Sequence, residues 1–380
     1  MPRPIYCTNE FDQTPSTSKA EIYRVLAHEN VKMEAPQARP AVDEILALKE
    51  FPHVLWELTP TQSGKLPVAK TRGGPVNIEW EVHGKGDIKL VWIMGLGGVK
   101  TNWQRQSLKY GHEEGNKYSS LIADNRGTGG SDKPLMRYST SEMAKDLIEL
   151  IDSLGWTEKR QLHVSGVSMG GMIAQELAYL IPTRIASLNL LSTACQIENT
   201  IGFIENLRNR INMFIPKSLD RSVTDAAYNM FSDKWLVQPD DCQVPKPGTP
   251  GVVFPDSGFY PLFETNFTRW AATELTKRLD PEKFGRKGFV LQAIAAGWHY
   301  MSPERLKELG DKVGRERIMI LHGDSDNMIS VYHGKKLIEL LKPEVAVIFE
   351  GAGHVFMVEE WRWHNEMIEK QIEKVSKFAR

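Results

Sequence analysis

From residue 75 onward, apolar and polar positions fall into runs that can be read element by element. Residues 76–82 (VNIEWEV) alternate apolar with polar, the period of two expected of a strand with one face buried. Residues 88–94 (IKLVWIM) are apolar with little alternation, as in a strand covered on both faces. Residues 121–123 end another such strand. A helix is predicted over 141–154, because Met143, Leu147, Leu150, Ile151 and Leu154 share one face. Ser139 and Glu142 form a capping box ahead of it, and Gly155 ends it. A short strand over 162–165, a helix over 169–181 stopped by Pro182, and a strand over 186–191 follow.

The alternation then breaks. Residues 195–314 read as several helices around a loop rich in Pro and Gly at 238–261. Strand-like runs return at 318–321 and 345–349, with one helix between them and another after Glu359. Strands alternating with helices predict an α/β fold: a mostly parallel sheet, helices on both faces, and a helical cap inserted between late strands. The expected organisation is an N-terminal extension over 1–74, holding one candidate helix at 41–49, then a core over 75–194. A cap over 195–315 and the second part of the core over 316–380 complete it.

Composition narrows the function classes. A net charge of −1 and the lack of any basic run give no footprint for nucleic acid. Cys7, Cys195 and Cys242 match no metal or redox spacing. The opening residues hold early acids and no apolar core, unlike a secretory or transit signal, and the final Phe-Ala-Arg is no peroxisomal address. No stretch approaches the roughly 18 apolar residues of a membrane span. The expected compartment is the cytoplasm, without integral membrane contact. The Asn266-Phe267-Thr268 sequon reads as fortuitous.

The chemistry concentrates at Gly166-Val167-Ser168-Met169-Gly170-Gly171. This G-x-S-x-G run lies between a predicted strand and a predicted helix. A sharp turn there projects the Ser168 hydroxyl above the sheet, and small residues on both sides keep the backbone from clashing. A hydroxyl needs a base, and the base an orienting acid. Among ten histidines, His354 lies in a Gly-rich loop (GAGH) directly after a predicted strand. His163 lies inside a strand and reads as structural, and His322, at a strand end, is a rival base. For the acid, Asp326 is preferred in HGDSD, with Asp324 the alternative. An oxyanion hole would use the Met169 N–H and, from the loop Gly95-Leu96-Gly97-Gly98, the Leu96 N–H. That loop is no nucleotide fingerprint, since Lys100 stands where the third glycine belongs.

Together GLGGVKTNW, DNRGTGGSDKP, GVSMGG, HGDSD and GAGH, in this order, resemble the α/β-hydrolase superfamily in its esterase, lactonase and C–C hydrolase branch. The resemblance implies Ser168 as nucleophile, Asp326 as acid, His354 as base, and Leu96 and Met169 as oxyanion donors. It also implies structural roles for Asp124 and Arg126 beside the site. Met94 replaces the usual His before the first oxyanion glycine, and Glu359-Glu360-Trp361 replaces a usual proline. The implied reaction is hydrolysis of a small-molecule ester or lactone through an acyl-enzyme, with no metal or organic cofactor. Acyl transfer, C–C bond hydrolysis and a ligand-binding receptor that keeps the triad are the alternatives. The large apolar residues of the cap, among them Phe203, Met213, Phe214, Trp235, Phe259, Phe263, Trp270, Trp298 and Tyr300, either fill the cap's own core or line an apolar pocket. Trp103 and His299 are candidate substrate contacts.

Overall fold

The computed structural model describes residues 39–198 and 217–378, together with the backbone of a strand at Ile22–Leu26. Nine strands form one sheet. They are β1 (Ile22–Leu26), β2 (Gln62–Val68), β3 (Val76–His83), β4 (Ile88–Ile93) and β5 (Tyr118–Ala123). Then come β6 (Leu162–Val167), β7 (Ile185–Leu191), β8 (Ile318–Gly323) and β9 (Val345–Glu350). Their order across the sheet is β1-β9-β8-β7-β6-β4-β5-β3-β2. The strands from β1 to β5 in that order run parallel, while β3 pairs antiparallel with β5 and β2 antiparallel with β3.

Burial explains why these segments are strands. Every residue of β5, β6, β7 and β8 is buried, so their near-continuous apolar runs are those of strands covered on both faces. One face carries α1 (Thr140–Ser153), α2 (Met169–Leu180), α6 (Pro303–Val313) and α7 (Val331–Leu341), whose Leu150, Ile173, Leu309 and Leu337 pack on Val91, Val164 and Ile320. The other carries the winding stretch from Lys100 to Glu113 and the last helix, α8 (Trp361–Ser376), packed on Trp92, Leu321 and Phe349. As expected from its sequence, α1 is capped by Ser139, whose Oγ accepts from Glu142 N at 3.1 Å.

Three helices lie above the sheet: α3 (Leu219–Met230), α4 (Asn266–Arg278) and α5 (Arg286–Gly297). Ala227, Phe231, Trp235, Phe263, Phe267 and Leu275 form a separate apolar cluster there, completed by Val42, Ile45 and Val54. Trp235 and Phe263 therefore serve the cap's own core, whereas Phe259, Trp298 and Tyr300 are exposed. Phe203, Met213 and Phe214 lie outside the described residues. The sequon residue Asn266 is buried and donates to Trp235 O.

Two boundaries differ from the sequence reading. Helix α6 lies inside the expected cap range, yet Leu306, Leu309 and Val313 belong to the main core. Strands β1 and β2 lie inside the expected extension yet join the sheet. Strand β2 (QSGKLPV) hides because it is an edge strand with mostly exposed or half-exposed positions, and it carries Gly64 and Pro67.

The topology fixes where chemistry can occur. From β4 the chain steps to β5 on one side and, after α1, to β6 on the other. The loops after β4 and β6 thus flank a crevice at the C-terminal edge of the sheet, the usual ligand position in such folds.

Candidate active site

Ser168 occupies the single-residue turn between β6 and α2, at φ 58° and ψ −124°. This positive φ is costly for a residue with a side chain, and the surroundings hold it in place. Ser168 N donates to Leu191 O at 2.9 Å, and Thr193 Oγ1 donates to Ser168 O at 2.7 Å. A Cβ at Gly170 would stand 2.1 Å from Ile93 O, and one at Gly166 2.3 Å from Gly170 O. The two glycines of the motif are therefore demanded by close backbone approach. The Ser168 side chain is half-buried, at the base of the crevice.

His354 follows β9, and Asp326 follows β8, on the same edge of the sheet. His354 Nδ1 lies 2.7 Å from Asp326 Oδ2, in a buried contact. The other carboxylate oxygen accepts from Met328 N and Ile329 N, both at 2.8 Å. Asp324, the alternative acid, is exposed and instead accepts from Gly351 N at 2.7 Å. Burial alone would raise the Asp326 pKa. His354 beside it, with hydrogen bonds from His322 and His354, outweighs burial and holds the carboxyl well below the usual range. With Nδ1 engaged by Asp326, His354 Nε2 is the ring nitrogen left for a nucleophile.

His322, the rival candidate, is engaged by Ile329 and Asp326. Its Nε2 lies 2.8 Å from Ile329 O and 3.2 Å from Asp326 Oδ2. A carbonyl only accepts, so Nε2 carries the proton and the ring helps fix the acid. The sequence signal for this was present: His322 precedes Asp326 by four residues in HGDSD. His163 lies buried against Ser187 Oγ at 2.9 Å, remote from this group.

The loop after β4 passes against Ser168, since a Cβ at Gly95 would lie 3.0 Å from Ser168 Cβ. Within it Gly97 N donates to Gln292 Oε1 at 2.8 Å and Gly98 N to Gly95 O at 3.2 Å. Those two amides are committed, whereas Leu96 N has no such partner among the described residues. Met169 opens α2, where first-turn amides have no partner within the helix. Asn125 Nδ2 donates to Met94 O at 2.9 Å and Lys277 Nζ to Gly97 O at 3.1 Å. The cap residues Gln292 and Lys277 that hold this loop carry no sequence signal, because nothing in a single chain links them to residue 97.

Asp124 and Arg126 do hold loops. Asp124 accepts from Gly130 N at 2.9 Å and also from Lys100 N, and Arg126 makes a two-pronged pair with Asp146 at 2.6 Å. Both candidate substrate contacts, Trp103 and His299, are buried. Trp103 is 2% exposed and packs on Trp92, with ring centroids 5.1 Å apart, because its short helical segment turns it toward the sheet. His299 is buried, with Nδ1 bound to Thr140 Oγ1 at 2.8 Å. A cavity of about 460 Å³ is lined by Glu79, Lys100, Asp124, Lys133 and Lys277. Lys100 there is paired with Glu79, Glu81 and Asp124, and no candidate nucleophile reaches it. Among the described residues no cluster of three or more His, Cys, Asp or Glu side chains could hold a metal ion, and no helix is long and apolar enough to cross a membrane.

Residues 90–240 match the family model described as alpha/beta hydrolase fold. The structure superposes on a thermophilic esterase from Thermogutta terrifontis with a TM-score of 0.58 at 17% identity, covering 83% of this chain and 99% of that one. The chain has the α/β-hydrolase fold. It is 31% identical over 123 residues to 3-oxoadipate enol-lactonase 2 of Acinetobacter baylyi, covering 32% of this chain and 43% of the lactonase. It is 33% identical over 132 residues to the dihydrolipoyllysine-residue acetyltransferase component of the acetoin cleaving system of Pseudomonas putida, covering 34% of each. The chain spans less than half the length of the curated relatives it matches.

Proposed function

We propose that this α/β-hydrolase is a serine hydrolase that cleaves a carboxylic ester, or a lactone, with an apolar acyl or aromatic part. The observation that carries the reading is the buried 2.7 Å contact between His354 Nδ1 and Asp326 Oδ2, on the same sheet edge as the strained Ser168 turn. Ser168 Oγ attacks the carbonyl carbon while His354 Nε2 takes the hydroxyl proton. Asp326 keeps the ring in the Nδ1–H tautomer and stabilises the imidazolium. The Leu96 and Met169 amides bind the oxyanion, each worth roughly 3–4 kcal/mol in the transition state. His354 returns the proton to the leaving alkoxide, which departs as the alcohol. Water then repeats the sequence on the acyl-enzyme, giving the acid and free Ser168.

The test is hydrolysis of p-nitrophenyl esters from acetate to palmitate. Ser168→Ala and Asp326→Asn should each lower kcat by about 10⁴-fold or more, with the fold retained by circular dichroism. A wild-type protein that hydrolyses none of these esters, and whose Ser168 takes no label from a fluorophosphonate, would refute the reading.

A further inference from the structure

The end of cap helix α3 is fastened to both loops that carry the acid and the base. Asn327 Nδ2, one residue after Asp326, donates to Tyr228 O at 3.2 Å. Val355 N, one residue after His354, donates to Met230 O at 3.1 Å. The third fastening runs through a carboxylate. Glu359 ends the helical turn Phe356–Glu359 and is 4% exposed. Its Oε1 accepts from Gly353 N at 2.9 Å and from Ser232 N at 3.2 Å, and its Oε2 accepts from Ser232 Oγ at 2.6 Å. A Cβ at Gly353 would lie 2.7 Å from Met230 O and 2.8 Å from Glu359 Oε1, so the cap and the carboxylate press on this backbone from two directions. His354 therefore stands between two residues whose amides are both tied, directly or through Glu359, to residues 230–232 of the cap.

We propose that Glu359 is a positioning residue: as a carboxylate it locks the end of cap helix α3 to the His354 loop and so sets where His354 stands relative to Ser168. The proposal rests on the serine hydrolase reading for its catalytic consequence, but not for the lock itself. All three donors point at Glu359, and two of them are backbone N–H groups that can only donate. A protonated carboxyl would retain the Ser232 Oγ contact by turning that hydroxyl around, and would lose the charge assistance of the two amide bonds.

The charges around Glu359 leave its protonation open to pH. The main influences on Glu359 are its burial, the hydrogen bonds from Ser232 and Gly353, and the neighbouring charge of Glu360. Glu360 is next in the chain, Asp233 follows Ser232 on the cap side, and Arg105 reaches only the Val358 carbonyl. Asp326, on the neighbouring loop after β8, is committed to His354 and His322. Burial pushes the Glu359 carboxyl up to about 7, only partly offset by the hydrogen bonds from Ser232 and Gly353.

Glu359→Gln is the frozen counterpart of the protonated form, with Oε1 still accepting and the amide NH₂ facing Ser232 Oγ. In p-nitrophenyl butyrate hydrolysis the ratio of wild-type to Glu359→Gln kcat should be about tenfold at about pH 8.5, for loss of a charge-assisted bond, and fall toward one below about pH 5.5. Ser232→Ala, which removes one donor from the cap side, should lower kcat about threefold at the higher pH and less at the lower. The second readout is hydrogen exchange of the peptide spanning residues 351–357 at about pH 8, expected about tenfold faster in Glu359→Gln. Unchanged exchange in both variants, or a kcat ratio flat across pH, overturns the proposal. Faster exchange in variants of a wild type that turns over no ester would sustain the lock and refute the hydrolase reading instead. If Glu359→Gln does not fold, Ser232→Ala alone decides, by the same two measurements.

Discussion

Substituting Arg126 by Met should destabilise the fold in a way that its partner's substitution exceeds. The Arg126 side chain is fully buried and Asp146 is 3% exposed. Both carboxylate oxygens of Asp146 accept from the guanidinium, from Nε and Nη2, at 2.6 Å. Asp146 Oδ1 also accepts from Arg72 Nη2 at 2.9 Å, whereas Arg126 has no second acid among the described residues. Orphaning one member of a buried pair costs about 3–5 kcal/mol. Arg126→Met leaves Asp146 with Arg72, so the loss should sit near the low end, about 3 kcal/mol. Asp146→Leu leaves a sealed guanidinium with no carboxylate, and should cost about 5 kcal/mol. The double variant removes both charges from the interior and should cost less than the sum by about 2 kcal/mol or more. Urea unfolding followed by tryptophan fluorescence measures all three, provided the slope m is unchanged so that midpoints report stability. Equal costs for the two single variants, or strict additivity, would refute the assignment of the stability to this pair. The substitution also has a readout at the site, because Gln292 Nε2 donates to Arg126 O at 2.9 Å while its Oε1 holds Gly97 N.

Two further outcomes follow from the same coordinates. Burial lowers the pKa of His163 to about 4, of His364 to about 4 and of His299, with Arg305 nearby, to about 3, against an ordinary 6.5. The folded state then binds fewer protons than the unfolded one below pH 6.5, so stability present above that value is lost as pH falls toward 4, by up to about 1.4 kcal/mol per pH unit per histidine; His163→Asn should make the dependence shallower by one proton, and an identical slope would refute it. Gly170→Ala would bring a methyl to 2.1 Å from the Ile93 carbonyl oxygen, so the backbone of the elbow must move; a loss of at least about 3 kcal/mol and of Ser168 labelling is expected, and a stable, fully labelled variant would refute it.

The central fold was legible because its strands are covered on both faces and leave continuous apolar runs, as in residues 88–94 and 318–321. The elbow was legible for a local reason, since a strand, a strained turn and a helix follow one another without a break from Leu162 to Leu180. What escaped depended on partners distant in sequence. Strand β2 owes its conformation to pairing with β3 rather than to its own pattern. Helix α6 carries an amphipathic stripe that reads the same whether it packs in a cap or against the sheet, and only contact with α2 and α7 assigns it. Trp103 and His299 each face a partner, Trp92 or Thr140, that no local pattern in the chain links to them. The choice between Asp324 and Asp326, two residues apart in one loop, needed the loop's turn to decide which carboxylate points inward.

The apolar cluster of the cap draws Val42, Ile45 and Val54 from the start of the described chain, and Val42 N donates to Asp220 Oδ1 at 3.1 Å across 178 residues of sequence. That part of the cap is therefore not a self-sufficient insert. During synthesis it waits for nothing upstream, because residues 42–54 already exist when α3 and α4 emerge, and they offer a ready apolar surface for those helices to settle on. For recombination the same fact sets a limit. Moving residues 217–297 onto another sheet of this kind would leave Ala227, Phe267 and Leu275 short of their covering side chains, so a workable graft has to carry residues 42–54 with it as a second, separate piece.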